Sequence, residues 1–204
     1  LAAAGDRWLA VGAAPVVAPG TIVYGPETCG TFAGFGADVT VALGGPTVPV
    51  AAPERALPLP VLVAGWLRAQ AGPAGDGVRI QTWILPPDTP PDDARRIGTE
   101  LATDDGGPEV LLVLGDGAAT HTPRAPGAFD ERAAGYDRAV AAALATGDAD
   151  VLAGLDPALD GVLLAGGRVP WQVLAGAVPR PTSARLEHSS TPFGVAYHVA
   201  VWTL

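Results

Sequence analysis

Hydrophobic and polar positions along this chain switch between two periods, and the switches mark its elements. "RWLAVGAAP", from Arg7 to Pro15, is a short apolar run closed by proline, which predicts a buried strand. "GADVTVALGG", from Gly36 to Gly45, alternates and ends in paired glycines, a second strand. "LPLPVLVAGWLRAQAG", from Leu57 to Gly72, carries proline only near its start and closes with glycine, as a helix does. "VRIQTWIL", from Val78 to Leu85, has the β-branched and aromatic character of a strand, bounded by Gly77 and Pro86.

The second half continues the alternation. "PPDDARRIGTELATDD" has acidic residues in its first turn and apolar Ile97 and Leu101 four apart, an amphipathic helix. "EVLLVLG", from Glu109 to Gly115, is fully apolar, the pattern of a strand covered on both faces, and is expected in the middle of a parallel sheet. "DERAAGYDRAVAAALATGD" predicts a helix with Asp130 as N-cap and Gly147 at its end. "DADVLAGLDPALDGVLLAGG" and "PWQVLAGAV" predict short helices, with Pro170 in a first turn that tolerates it. "TSARLEHSS" and "GVAYHVAVW" predict two closing strands, antiparallel if they pair. Together these give an α/β protein, a three-layer α/β/α sandwich with a mainly parallel central sheet and an antiparallel C-terminal strand. The Pro-rich "GGPTVPVAAPERALPLP" is the one extended loop, so a single domain over residues 1–204 is expected.

Composition narrows the function classes. Nearly half of the residues are apolar, yet no run approaches the roughly 18 residues of a membrane span. The net charge of -9 and the lack of a basic stripe argue against nucleic acid as a partner. Lys, Asn and Met are absent and all 12 basic residues are Arg, the mark of a GC-rich coding sequence. A chain without Met that opens "LAAAGDRWLAVGAAP", the tail of a helix followed by a strand, is expected to continue a longer protein that supplies a preceding strand and helix. Cys29 alone allows no internal disulfide, which suits a reducing cytoplasm.

In open α/β sheets, ligands bind beyond the carboxyl ends of the strands. "LGDGAATH" lies at such an end. Asp116 there must be hydrogen-bonded or solvated in a cleft, or it caps the following loop. His121 follows five residues later as the expected proton carrier. Both are candidate catalytic residues, and the loop from Asp116 to Pro126 is expected to line the main cleft with them as its most accessible ionisable groups. The alternative is a tight turn at Gly115–Gly117 with no chemistry. His188 beside Glu187 could be a metal pair, but neighbouring strand residues point to opposite faces. His198, inside an apolar terminal strand, suits a packed core position, and Cys29 among glycines suits a small structural residue. "GDGAATH" lacks the spacing of a phosphate-cradling loop.

Four pairs here, Gly115-Asp116, Ala125-Pro126, Phe129-Asp130 and Tyr136-Asp137, resemble the catalytic subunits of class III extradiol ring-cleavage dioxygenases (LigB-like), a superfamily that includes the Memo-like proteins. "GTFAGFGADVTVALGG", "GRVPWQVLAGA" and "TPFGVAYHVAVW" are similar to a divergent branch of it, so the resemblance covers essentially the whole chain. It implies an α/β fold and, in active members, Fe(II) held by two early His and a late Glu, with a further His as acid/base after the Gly-Asp strand end. This sequence departs from that pattern. No His precedes His121, no carboxylate lies between Asp160 and Glu187, and Ala119 stands where the acid/base His belongs. The expectation is a LigB-like protein with a degenerate iron site that binds a small molecule or acts as an accessory protein, alone or as a homo-oligomer. The alternative is a non-haem, metal-dependent oxidoreductase of the extradiol type, with Fe(II) as cofactor and an aromatic diol as substrate.

Overall fold

The computed structural model describes residues 4–15, 20–50, 52–103 and 108–204. The helix tail expected at the start of the chain and the last two residues of the acidic-capped helix lie outside them. The chain is mixed α/β with a mainly parallel central sheet, as the alternation of periods predicts. Contacts separate two compact units: Leu1–Pro87 with Gly106–Leu114, and Asp88–Asp105 with Gly115–Leu204.

The first unit holds the central sheet. Its strands are β1 (Arg7–Ala13), β2 (Ile22–Tyr24), β5 (Arg79–Leu85) and β6 (Val110–Leu114), in the order β2-β5-β1-β6. β1 runs parallel to both β5 and β6, with Trp8 opposite Ile80 on one side and Val110 on the other. β2 pairs antiparallel with β5, so the antiparallel member of this sheet comes early in the chain and not at its C-terminus. β6 is an edge strand among the described residues, a correction to the central place expected for it. A run of five aliphatics reports that both faces of a strand are apolar; it does not report how many neighbours bond its edges. β1 and β5 occupy the middle.

The alternating segment at Gly36–Gly45 forms only a three-residue strand, β4 (Thr40–Ala42), antiparallel to β3 (Cys29–Thr31). Helix α1 (Leu59–Gln70) begins on prolines that supply no N–H and so leave no orphan donor there. It turns Val61, Leu62 and Ala64 inward, where they join Trp8, Ile80, Ile84, Leu43 and Leu112 in one core. Cys29 is buried beside this core, and burial pushes its thiol pKa up, the opposite of what a reactive thiolate needs.

The second unit is helical with a terminal hairpin. It contains α2 (Pro91–Thr103), α3 (Ala133–Thr146), α4 (Ala149–Ala153), α5 (Pro157–Leu163) and α6 (Arg168–Ala177), followed by β7 (Ser183–Ser190) and β8 (Tyr197–Thr203). β7 and β8 are antiparallel to each other and form their own two-stranded sheet. α3 ends at Gly147, whose left-handed φ of 75° closes the helix as expected. Its N-cap is Arg132 and not Asp130. Asp130 stands two residues earlier and accepts from the Arg132 backbone N–H, making a turn that leads into the helix.

Candidate functional site

The loop after β6 folds onto itself. Gly127 N–H donates to the Ala119 carbonyl at 2.9 Å and Asp130 N–H to the Thr120 carbonyl at 2.9 Å, while His121 bridges Phe129. The same loop is tied to the chain leading into β8. Gly117 N–H donates to Ala196, Ala196 N–H to Ala118, and His121 N–H to Gly194. These bonds pair the backbone at the buried start of the loop, at Gly117 and Ala118, while residues 122–124 remain exposed.

These ties bring His121 to Asp137 on α3. His121 Nε2 lies 2.5 Å from Asp137 Oδ2, and the two side chains are only 12% and 6% exposed. The Ala118 N–H also donates to the Asp137 carboxylate, 3.2 Å from each oxygen. Gly117 makes this approach possible, since a Cβ there would sit 2.3 Å from Asp137 Oδ1. On the other carboxylate oxygen, His198 Nε2 stands at 3.5 Å, and His198 Nδ1 is 3.0 Å from Ser189 Oγ. The His198 side chain is 3% exposed and its ring packs obliquely against Trp171. His198 is thus buried as the sequence suggests, but it faces a carboxylate inside.

Asp116 stands apart from this group. Among the described residues no hydrogen bond or ion pair joins it to His121. It is half-buried and desolvation raises its pKa; desolvation also raises that of the Tyr197 hydroxyl, and the Asp116 charge adds to it. Tyr197 and His198 are neighbours on β8 and so point to opposite faces. The two residues expected together are not paired with each other. His121 is partly buried, its side chain 12% exposed against Asp137. An open cavity in this unit is lined by Asp92, Arg95, Thr99, Asp150, Gly176 and Pro179, on other elements than the loop.

The sequence reading did not single out Asp137 as a site residue, Ser189 or a polar role for His198. Tyr136-Asp137 carries the family resemblance with no chemical role attached to it, and the His198–Ser189 contact arises from strand register, which pairs these two residues directly. His188 bonds Ser190 Oγ at 2.7 Å on the exposed strand, and Glu187 pairs with Arg185.

A second buried polar group braces the helices. Arg168, 2% exposed at the start of α6, donates to the Thr89 carbonyl at 3.0 Å and to Gln172 Oε1 at 2.8 Å. Its Nε lies 3.6 Å from Asp160 Oδ2, and Tyr136 donates to Asp160 Oδ1 at 3.1 Å. Gln172 completes the network by donating to the Leu155 carbonyl at 3.0 Å. Burial outweighs the bonds from Tyr136 and Arg168 and lifts the Asp160 pKa to about 6.

The geometry sets a cost for losing His121. His121→Ala is expected to lower the unfolding free energy by about 1–2 kcal/mol, because it leaves a buried carboxylate oxygen with the longer bond from Ala118 N–H in place of the imidazole. An exposed histidine would cost less than about 0.5 kcal/mol. Urea denaturation of the two proteins separates these outcomes.

A metal fits these donors poorly. Neighbouring ligand atoms around an ion at bonds of about 2.1 Å lie roughly 3 Å apart, whereas His121 Nε2 and Asp137 Oδ2 are 2.5 Å apart. Among the described residues, no group of three or more His, Cys, Asp or Glu has a metal-holding arrangement. Compared with protein-family models and with curated proteins, the chain matches none of them.

Proposed function

We propose that this chain is a LigB-like protein whose iron site is degenerate, a small-molecule-binding or accessory protein built on an extradiol-dioxygenase-like sequence. The supporting observation is the mutual engagement of its donors. In a facial triad, two imidazoles and a carboxylate direct lone pairs at a common point and leave open positions for substrate and dioxygen. Here the imidazoles of His121 and His198 face opposite oxygens of one carboxylate, and Ala118 N–H occupies the space between. Asp116, which no donor engages among the described residues, and the Tyr197 hydroxyl remain to meet a ligand that hydrogen-bonds both.

Anaerobic addition of Fe(II) tests this. A protein that does not bind the ion in its folded state gains no stability from it. The thermal midpoint is expected to stay within about 1 °C at an iron concentration that saturates a facial triad. A rise of several degrees, together with ring opening of a catechol in air, would establish the dioxygenase alternative.

A further inference from the structure

We propose that Ser189, His198 and Asp137 act as a nucleophilic triad that cleaves small activated esters, an activity independent of the ligand reading above. The three are linked through the two ring nitrogens of His198: Ser189 Oγ is 3.0 Å from His198 Nδ1, and His198 Nε2 is 3.5 Å from Asp137 Oδ1. Their environments differ as the three roles require. Ser189 is exposed and open to a substrate, whereas the His198 and Asp137 side chains are 3% and 6% exposed. A nucleophilic serine needs a base within hydrogen-bond reach and a third group that orients the base.

The orienting group is fixed from several sides. Asp137 sits on α3, accepts from Ala118 N–H, and holds His121 on its second oxygen. It therefore cannot swing away from His198 without breaking those bonds. Facing a carboxylate through Nε2 favours the imidazole tautomer with its proton on Nε2, which leaves the Nδ1 lone pair directed at Ser189. Ser189 and His198 are directly opposed in the β7–β8 register, with the ring beside Trp171, so their approach is set by the backbone. Contacts of this kind tighten when a substrate arrives.

The chemistry balances without a cofactor. Ser189 Oγ attacks the ester carbonyl carbon while its proton passes to His198 Nδ1. The alcohol leaves with that proton as the C–O bond breaks, and the acyl group remains on Ser189. Water attacks the acyl carbon, gives a proton to His198, and the acid departs as Ser189 recovers its hydrogen. Asp137 is a positioning residue, acting through His198.

The test uses a fluorophosphonate, which forms an Oγ–P bond with expulsion of fluoride, and p-nitrophenyl acetate. Peptide mass mapping of the wild-type chain is expected to place the phosphonate on Ser189, with ester hydrolysis blocked in the labelled protein. Ser189→Ala is expected to lose both, and His198→Gln to slow labelling by about 100-fold. Asp137→Asn is expected to move the pH profile of labelling, a change that loss of packing alone does not produce. The wild-type adduct site is read without any variant, so a misfolded mutant leaves the test intact. No adduct on Ser189, equal labelling of several exposed serines, or an unchanged rate in a folded His198→Gln protein would overturn the triad.

Discussion

Replacing Arg168 with leucine is expected to lower the unfolding free energy by about 3–5 kcal/mol at pH 8, the scale for removing one partner of a buried ion pair. The guanidinium is 2% exposed and serves Thr89, Gln172 and Asp160 at once. Leucine matches some of its apolar volume but leaves the Gln172 oxygen, the Thr89 carbonyl and the Asp160 carboxylate with less compensation. The deficit also depends on pH, with a sign that follows from Asp160. Its folded pKa is about 6, above the ordinary 3.8, so the folded state holds the proton more tightly. Its contribution to stability is full below about 4 and is lost as pH rises through about 6. Removing Arg168 takes away a cation that lowers the Asp160 pKa and so carries that folded pKa higher still. The variant therefore loses more stability between pH 5 and 8 than the wild type does. Denaturation curves at pH 5 and pH 8 measure this: the Arg168→Leu deficit should be the larger at pH 8. An equal deficit at both would show that Asp160 is not the group left exposed to the loss.

Much of the fold was legible in the sequence because it depends on local period. The helices at α1, α2, α3 and α6 and the strands at β1, β5 and β6 fall where apolar spacing puts them. What spacing does not carry is pairing. The order β2-β5-β1-β6 depends on which strand edges meet, and a fully apolar β6 reads the same in the middle of a sheet as at its edge. The short β2 and β3 have three residues each, too few for a period to declare itself. The candidate site divides in the same way. Strand-end reasoning found the loop with Asp116 and His121. The partner of His121, however, is 16 residues away on a helix, and it is reached only because the loop closes on itself. His198 was legible as buried. That it is buried against a carboxylate required the β8 register and the place of α3 together.

The crossing of α2 and α6 supports the sharpest contrast between local and tertiary reasoning. These two helices pack more extensively than any other pair of helices among the described residues. The approach is backbone to backbone at two glycines. A Cβ on Gly98 would lie 2.0 Å from the Val173 carbonyl oxygen and 2.7 Å from the Ala177 nitrogen; one on Gly176 would lie 2.0 Å from the Arg95 carbonyl oxygen. Thr99 adds a hydrogen bond across the same crossing, donating its hydroxyl to the Gly176 carbonyl at 3.3 Å. Neither obstacle is the far end of a flexible side chain, so the helices themselves must part. Helix propensity taken alone gives Gly98→Ala a gain of about 1 kcal/mol, since alanine loses less backbone entropy in a helix. Overpacking against fixed backbone gives a loss, at the upper end of about 1–3 kcal/mol for an inserted methyl group. The second effect is the larger, and Gly98→Ala is expected to destabilise the protein by about 2 kcal/mol net, with Gly176→Ala similar. The two substitutions act on one interface, so once the first has separated the helices the second costs less and the double variant loses less than the sum. Chemical denaturation followed by far-ultraviolet circular dichroism decides the matter through the sign alone. A Gly98→Ala protein more stable than the wild type would mean that the α2–α6 approach is looser than 2 Å-scale conflicts with backbone atoms require.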